Sequence, residues 1–97
     1  MQEKELLDDV EKAIVLYEAA NGYAATRTRQ MIADHGAIKA LSLLMVSPDL
    51  QQGFKVLRDS KQLDKTFESI VVKFHCLFES DVVEAAQWRL MHSYDLL

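Results

Sequence analysis

Leu6, Val10, Ala13, Ile14 and Tyr17 recur at three- and four-residue steps, with Glu3, Asp8, Glu11 and Lys12 on the other faces. This is the stripe of an amphipathic helix, and it predicts a first helix over 2–21. Asn21-Gly22 ends it, since both residues accept left-handed backbone angles. A short second helix over about 25–34 carries Met31 and Ile32 and closes at His35-Gly36. Ala37 to Val46 is apolar on most sides except at Lys39 and Ser42, which predicts the most buried helix of the chain. Ser47-Pro48-Asp49 is the clearest boundary: Ser caps, Pro suits a first helical turn, and Asp49 complements the positive helix end. The next helix is expected to run to about Arg58, with Phe54 and Leu57 inward.

The last third repeats the pattern. Asp64 stands where an N-cap belongs, and Phe67, Ile70, Val71 and Phe74 follow at helical steps. Ser69 to Val72 is also β-prone, so a strand is the rival there. Ser80 and Asp81 open a final helix in which Val83, Ala86, Leu90 and Tyr94 share a face and Trp88 lies to one side. The expectation is an all-α fold: one compact domain over 1–97 of about five to six helices, orthogonal or bundle-like. Within it an acidic first helix, 2–21, precedes a helical module, 24–95.

Composition agrees with a globular chain. It has 97 residues, 49% apolar and 27% charged, enough for one core and too apolar for general disorder. The longest uncharged stretch, Ala40 to Pro48, falls far short of the ~20 apolar residues that span a bilayer, so no membrane span is expected. The start of the chain is acidic where a secretory signal is basic and then apolar. A lone Cys76 makes no internal disulfide. Together these predict a cytoplasmic setting, in a bacterium or a host cell.

Charge is sorted along the chain. Residues 1–20 carry net −4, residues 27–61 net +3, and residues 62–97 net −3. Segregated charge steers association more than total charge does. The acids Glu5, Asp8, Asp9 and Glu11 are close enough on one helix to hold a cation, but acids there also favour the positive helix end and solvate an outer face. The second account is preferred, and it leaves a negative surface suited to a basic groove on a partner.

Catalytic and metal chemistry find little to build on. His75-Cys76 are adjacent, so on a helix they point about 100° apart and cannot grip one ion together. No C-x-x-C or H-E-x-x-H spacing occurs, and Gly22, Gly36 and Gly53 are isolated. Cys76 reads as a small buried packing residue, with His35 or His92 the only other candidates for a neighbouring base. No catalytic residue, metal ligand or cofactor is expected.

The basic middle supplies the alternative. Arg27, Arg29, Lys55, Arg58 and Lys61 could meet phosphates, which would make the chain a nucleic-acid-binding accessory protein. The segment from Thr28 to Val46 is a poor helix-turn-helix, however: Ala33 and Gly36 stand three apart, where that motif wants four, and the following helix is too apolar for a groove. The same cations are expected mainly to pair with the acidic first or last helix, or to form a mixed surface.

Written out, Gly36-Ala37, Ala40-Leu41, Leu44, Ser47-Pro48, Gly53-Phe54, Leu57, Leu63-Asp64, Thr66, Glu68, Val71, Leu77-Phe78, Val83, Ala86 and Arg89-Leu90 form a pattern. It resembles a short helical module of uncharacterised bacterial and mobile-element proteins, over roughly 24–90. The resemblance implies a helical fold and a prokaryotic or phage origin, and it carries no catalytic residue.

A small acidic chain without a catalytic motif is expected to act by binding. The leading expectation is a non-enzymatic protein-interaction domain that docks on a larger protein. Its surface would be the acidic helix (Glu5, Asp8, Asp9, Glu11) or an apolar patch of Trp88, Met91 and Tyr94, because Trp, Tyr and Met are enriched at interface cores. A sharper form is a phage or mobile-element inhibitor of a host nucleic-acid machine, anti-CRISPR-like, motivated by size and negative charge. Self-association into a homodimer is a further expectation where apolar residues are exposed.

Overall fold

A computed structural model describes residues 2–22, 24–46 and 52–93. Among them are six α-helices: α1 (Gln2–Asn21), α2 (Thr26–His35), α3 (Ala37–Val46), α4 (Gln52–Asp59), α5 (Phe67–Lys73) and α6 (Ser80–Met91). Short 3-10 turns at Leu63–Lys65 and His75–Leu77 link α4 to α5 and α5 to α6. The β-prone Ser69 to Val72 stretch lies inside α5, and no strand occurs among the described residues. The all-α expectation therefore holds. The Ser47-Pro48-Asp49 boundary and Tyr94 lie outside the described residues.

α1 buries the stripe that its sequence announces. Leu6, Val10, Ala13 and Ile14 are all 3% exposed or less. Each of the larger three removes enough apolar surface to contribute about 1.5–3 kcal/mol. They pack on α3, α4 and α5, while α6 closes over α3 and α5. The core joins Leu41 and Met45 of α3 to Ile70, Val71 and Phe74, and to Val82 and Ala86 of α6. Phe54 and Leu57 of α4 face inward as expected. A radius of gyration of 12.2 Å matches the roughly 12.5 Å typical of a folded chain this long, so the helices form one body.

Gly36 makes the corner between α2 and α3 in a single residue. Its φ of 85° and ψ of 161° lie in a region open essentially to glycine alone. Its N–H bonds to Ile32 O at 2.8 Å while its own carbonyl accepts from Ala40 N at 3.0 Å, so both helices continue their hydrogen bonding through the bend.

Four local expectations are corrected. α3 buries Ala40, Leu41 and Met45, but Leu43 and Val46 are 42% and 53% exposed, so this helix is a rim as well as a core element. Asp64 does not cap α5: it sits in the preceding 3-10 turn, and the Thr66 hydroxyl accepts from Ser69 N at 3.1 Å instead. The inward face of α6 is Val82, Ala86 and Arg89, with Val83 and Leu90 only half-buried. Cys76, expected to be buried, is exposed because it falls on a 3-10 turn at the surface.

Candidate functional site

Two charge clusters join helices within the molecule, the first at its surface. Arg29 of α2 spans two acids of α1: its Nη2 donates to Glu18 Oε1 at 2.6 Å, and its Nη1 to both oxygens of Glu11 at 3.0 Å. Glu18 Oε2 also accepts from Ala25 N at 2.6 Å, which satisfies a free N–H just before α2. Ala25 has no side chain able to cap, so a distant carboxylate does it. The Arg29 hydrogen bond, then the Ala25 N–H, pull the Glu18 carboxyl down to about 2. A further acid of α1, Asp9, pairs with Lys73 at 2.7 Å.

The second cluster is sealed inside. Glu68 of α5 is 1% exposed and meets Arg89 Nη1 at 3.1 Å, and that nitrogen also reaches Leu44 O at 3.3 Å. Burial pushes the Glu68 carboxyl up, against its own backbone N–H and the Arg89 guanidinium. Glu68 also lines a cavity of about 100 Å³ with Ile14, Tyr17, Leu44, Phe54 and Phe67.

These pairings redistribute the expected surfaces. Asp9 and Glu11 are engaged within the molecule, while Glu5 and Asp8 are exposed. Of the five middle cations, Arg29 is held by α1. Arg58 is buried, donating to Ser93 O at 3.0 Å and to Asp59 at 3.0 Å. Arg27 and Lys61 are exposed and Lys55 is half-buried. Trp88 and Met91 are 53% and 79% exposed, and Trp88 stacks on His92 with centroids 4.3 Å apart. Among the described residues no three His, Cys, Asp or Glu side chains gather where they could hold a metal, and no helix is long and apolar enough to cross a membrane.

A larger concave feature lies elsewhere. A groove of about 1000 Å³ runs between the start of α1, the α2–α3 corner and the start of α6. Leu6 and Val82 form its buried floor, beside the half-buried Ile38 and Phe78. Among the described residues six large apolar side chains are exposed, and three of them, Leu7, Leu43 and Val46, line this one groove. The α1 and α6 walls carry Glu3, Glu79 and Asp81, with Lys4 among them; the α2–α3 wall carries His35 and Lys39. Acids some 75 residues apart in the chain thus border the same apolar surface.

The groove residues were only partly legible in sequence. Leu7 stands beside the α1 stripe rather than in it, and α3 is apolar on more faces than a core contact can use. Both signals mark surplus apolar surface, but neither says that it is exposed. Trp88 and Met91 are absent from the groove lining; they lie about 10–15 Å further along α6 than Asp81 and Val82. No protein-family model matches the chain, and neither a curated protein nor a solved structure shows significant similarity to it.

Proposed function

We propose that this chain is a non-enzymatic helical interaction domain that acts by binding a larger protein, and that the groove is its docking surface. The observation that carries the reading is the meeting of exposed Leu7, Leu43 and Val46 with Glu3, Glu79 and Asp81 in one concavity. Exposed apolar surface rimmed by charge is the usual composition of an interface: the centre supplies affinity, the rim orientation and encounter rate. Protein pairing is further supported by the fate of the basic middle. Arg29 and Arg58 are drawn into intramolecular contacts, which leaves fewer cations for a phosphate-tracking stripe. A partner with a basic surface, including a host nucleic-acid-binding protein inhibited by an acidic mimic, suits a chain of net charge −4.

Affinity capture with the full chain, followed by binding measurements on the purified partner, tests this. Glu79→Lys with Asp81→Lys, and separately Leu43→Glu, are expected to lose the partner while the helical signal holds; the melting temperature of the double variant should fall modestly, because Asp81 stands in the first turn of α6 and its Oδ1 accepts from Val82 N. Glu5→Lys with Asp8→Lys, outside the groove lining, should weaken capture less. Undiminished binding by the groove variants, or capture abolished by nuclease treatment, would reject the proposal.

A further inference from the structure

Resting on the docking reading above, we infer that the occupant of the groove is an amphipathic α-helix presented by the partner. Docked peptides use a small set of modes: they extend a sheet edge, lie as a polyproline helix on an aromatic-lined groove, set a phosphate on clustered arginines, or lay an amphipathic helix into an apolar groove. Sheet extension has no template, because no strand occurs among the described residues. Phe78 is the single aromatic residue among the described lining, and it is half-buried, which is a poor floor for proline rings. No arginine lines the groove among the described residues. Of these four modes the helical one fits best, and the shape suits it.

Length sets how much of a helix fits. Ile38 and Val46 line the groove along α3, and eight residues at 1.5 Å each span about 12 Å, a little over two helical turns. Apolar anchors at i, i+4 and i+7 cover about 10 Å, so three would bear on Leu7, Leu43 and Val46. A volume near 1000 Å³ is at the upper end for a small-molecule site, and this groove is open to solvent rather than enclosed, which favours a chain segment.

Charge then orients the helix. The α1 and α6 walls hold three carboxylates against Lys4, whereas Lys39 and His35 stand on the α2–α3 wall. The docked helix therefore carries lysine or arginine along the edge toward Glu79 and Asp81, and an acidic or neutral residue along the edge toward Lys39. These contacts sit at a wet rim, so they set direction and encounter rate more than affinity. Salt should weaken binding without abolishing it.

The probe is a fluorescein-labelled 18-residue synthetic helix with leucines at i, i+4, i+7 and i+11, lysines on one edge and glutamates on the other. Its anisotropy is read with the full chain, and methyl NMR locates the contact. A same-composition scrambled peptide tests the helical pattern, and a peptide with glutamate on both edges tests the charge. The patterned peptide is expected to bind and to shift the Leu7, Leu43 and Val46 methyls. Leu43→Glu, or glutamate on both edges, should weaken it by about tenfold. No binding by the patterned peptide, equal binding by the scrambled one, or methyl shifts elsewhere would overturn the inference. Should the partner still be lost on Glu79→Lys with Asp81→Lys while no helix engages, the docking reading stands and only the helical occupant falls.

Discussion

Glu68 and Arg89 form a charge pair with 1% and 7% of their surfaces exposed, joining α5 to α6 at 3.1 Å across 21 residues of chain. Taking both ions out of water costs several kcal/mol each, and the pair is held because each neutralises the other and further bonds are made within the fold. Arg89→Met is therefore expected to destabilise the domain by about 3–5 kcal/mol, since it strands a buried carboxylate. Glu68→Leu with Arg89→Met removes both charges, and should recover most of that loss or exceed wild-type stability. Urea unfolding of the two variants measures the difference, and equal losses would show that packing rather than charge pairing holds α6.

Acid stability should hinge on Glu18. Its carboxyl is pulled to about 2 in the folded protein, below the ordinary 4.5, so its contribution is complete above pH 4.5 and disappears as the pH falls toward 2. Glu68 acts with opposite sign. Burial raises its carboxyl, so the stability tied to its protonated form is present below pH 4.5 and is lost as the pH rises through the folded value. Melting temperatures between pH 7 and pH 2 should fall in the wild type and fall less in Glu18→Gln. Parallel curves would place the acid sensitivity elsewhere.

The start of α5 distinguishes two hydroxyl or carboxylate caps two residues apart. Thr66 is fully buried, donates to Leu63 O at 2.8 Å and accepts from Ser69 N at 3.1 Å. Thr66→Ala is expected to cost about 1–2 kcal/mol, as loss of a cap with burial usually does. Asp64→Ala is expected to stay within about 0.5 kcal/mol, because Asp64 is exposed and pairs with Lys65 at a long 3.5 Å. Chemical denaturation of both variants gives the comparison.

Cys76 should react in the folded state. It is exposed on the turn between α5 and α6, and a thiol-specific reagent needs no unfolding to reach it. Native and denatured protein are both expected to modify fully. Strong native protection would mean that the turn is covered in solution.

The degree to which each element was legible follows from the period of its signal. α1 was legible nearly to the residue because a single core-facing stripe of Leu6, Val10, Ala13 and Ile14 repeats at the helical step, with Glu3, Asp8, Glu11 and Lys12 on the other faces. Asp64 misled because two residues with capping chemistry, Asp64 and Thr66, precede the same apolar run. Which one caps depends on where the 3-10 turn ends, and that is set by the packing of Thr66. On α6 the sequence places Arg89 between Trp88 and Leu90, with nothing nearby that marks it as buried. Its buried partner is 21 residues away, and no local pattern reports it.

The candidate site was less legible than the fold for the same reason. Asp8, Asp9 and Glu11 look alike as a run of acids on one helix, yet Lys73 and Arg29 engage two of them and leave Asp8 exposed. Exposed Leu43 and Val46 are indistinguishable in sequence from core residues until the helices have been placed around them.

By itself the sequence determined that this protein is helical, where most helices begin and end, and which stripe of α1 faces inward. Those properties depend on backbone preferences and on apolar spacing within a few residues. Only the tertiary structure decided which charges are neutralised, which apolar residues stay in water, and that acids from opposite ends of the chain border one groove. Those properties depend on through-space distance, which is independent of separation along the chain once α1, α3 and α6 have packed together.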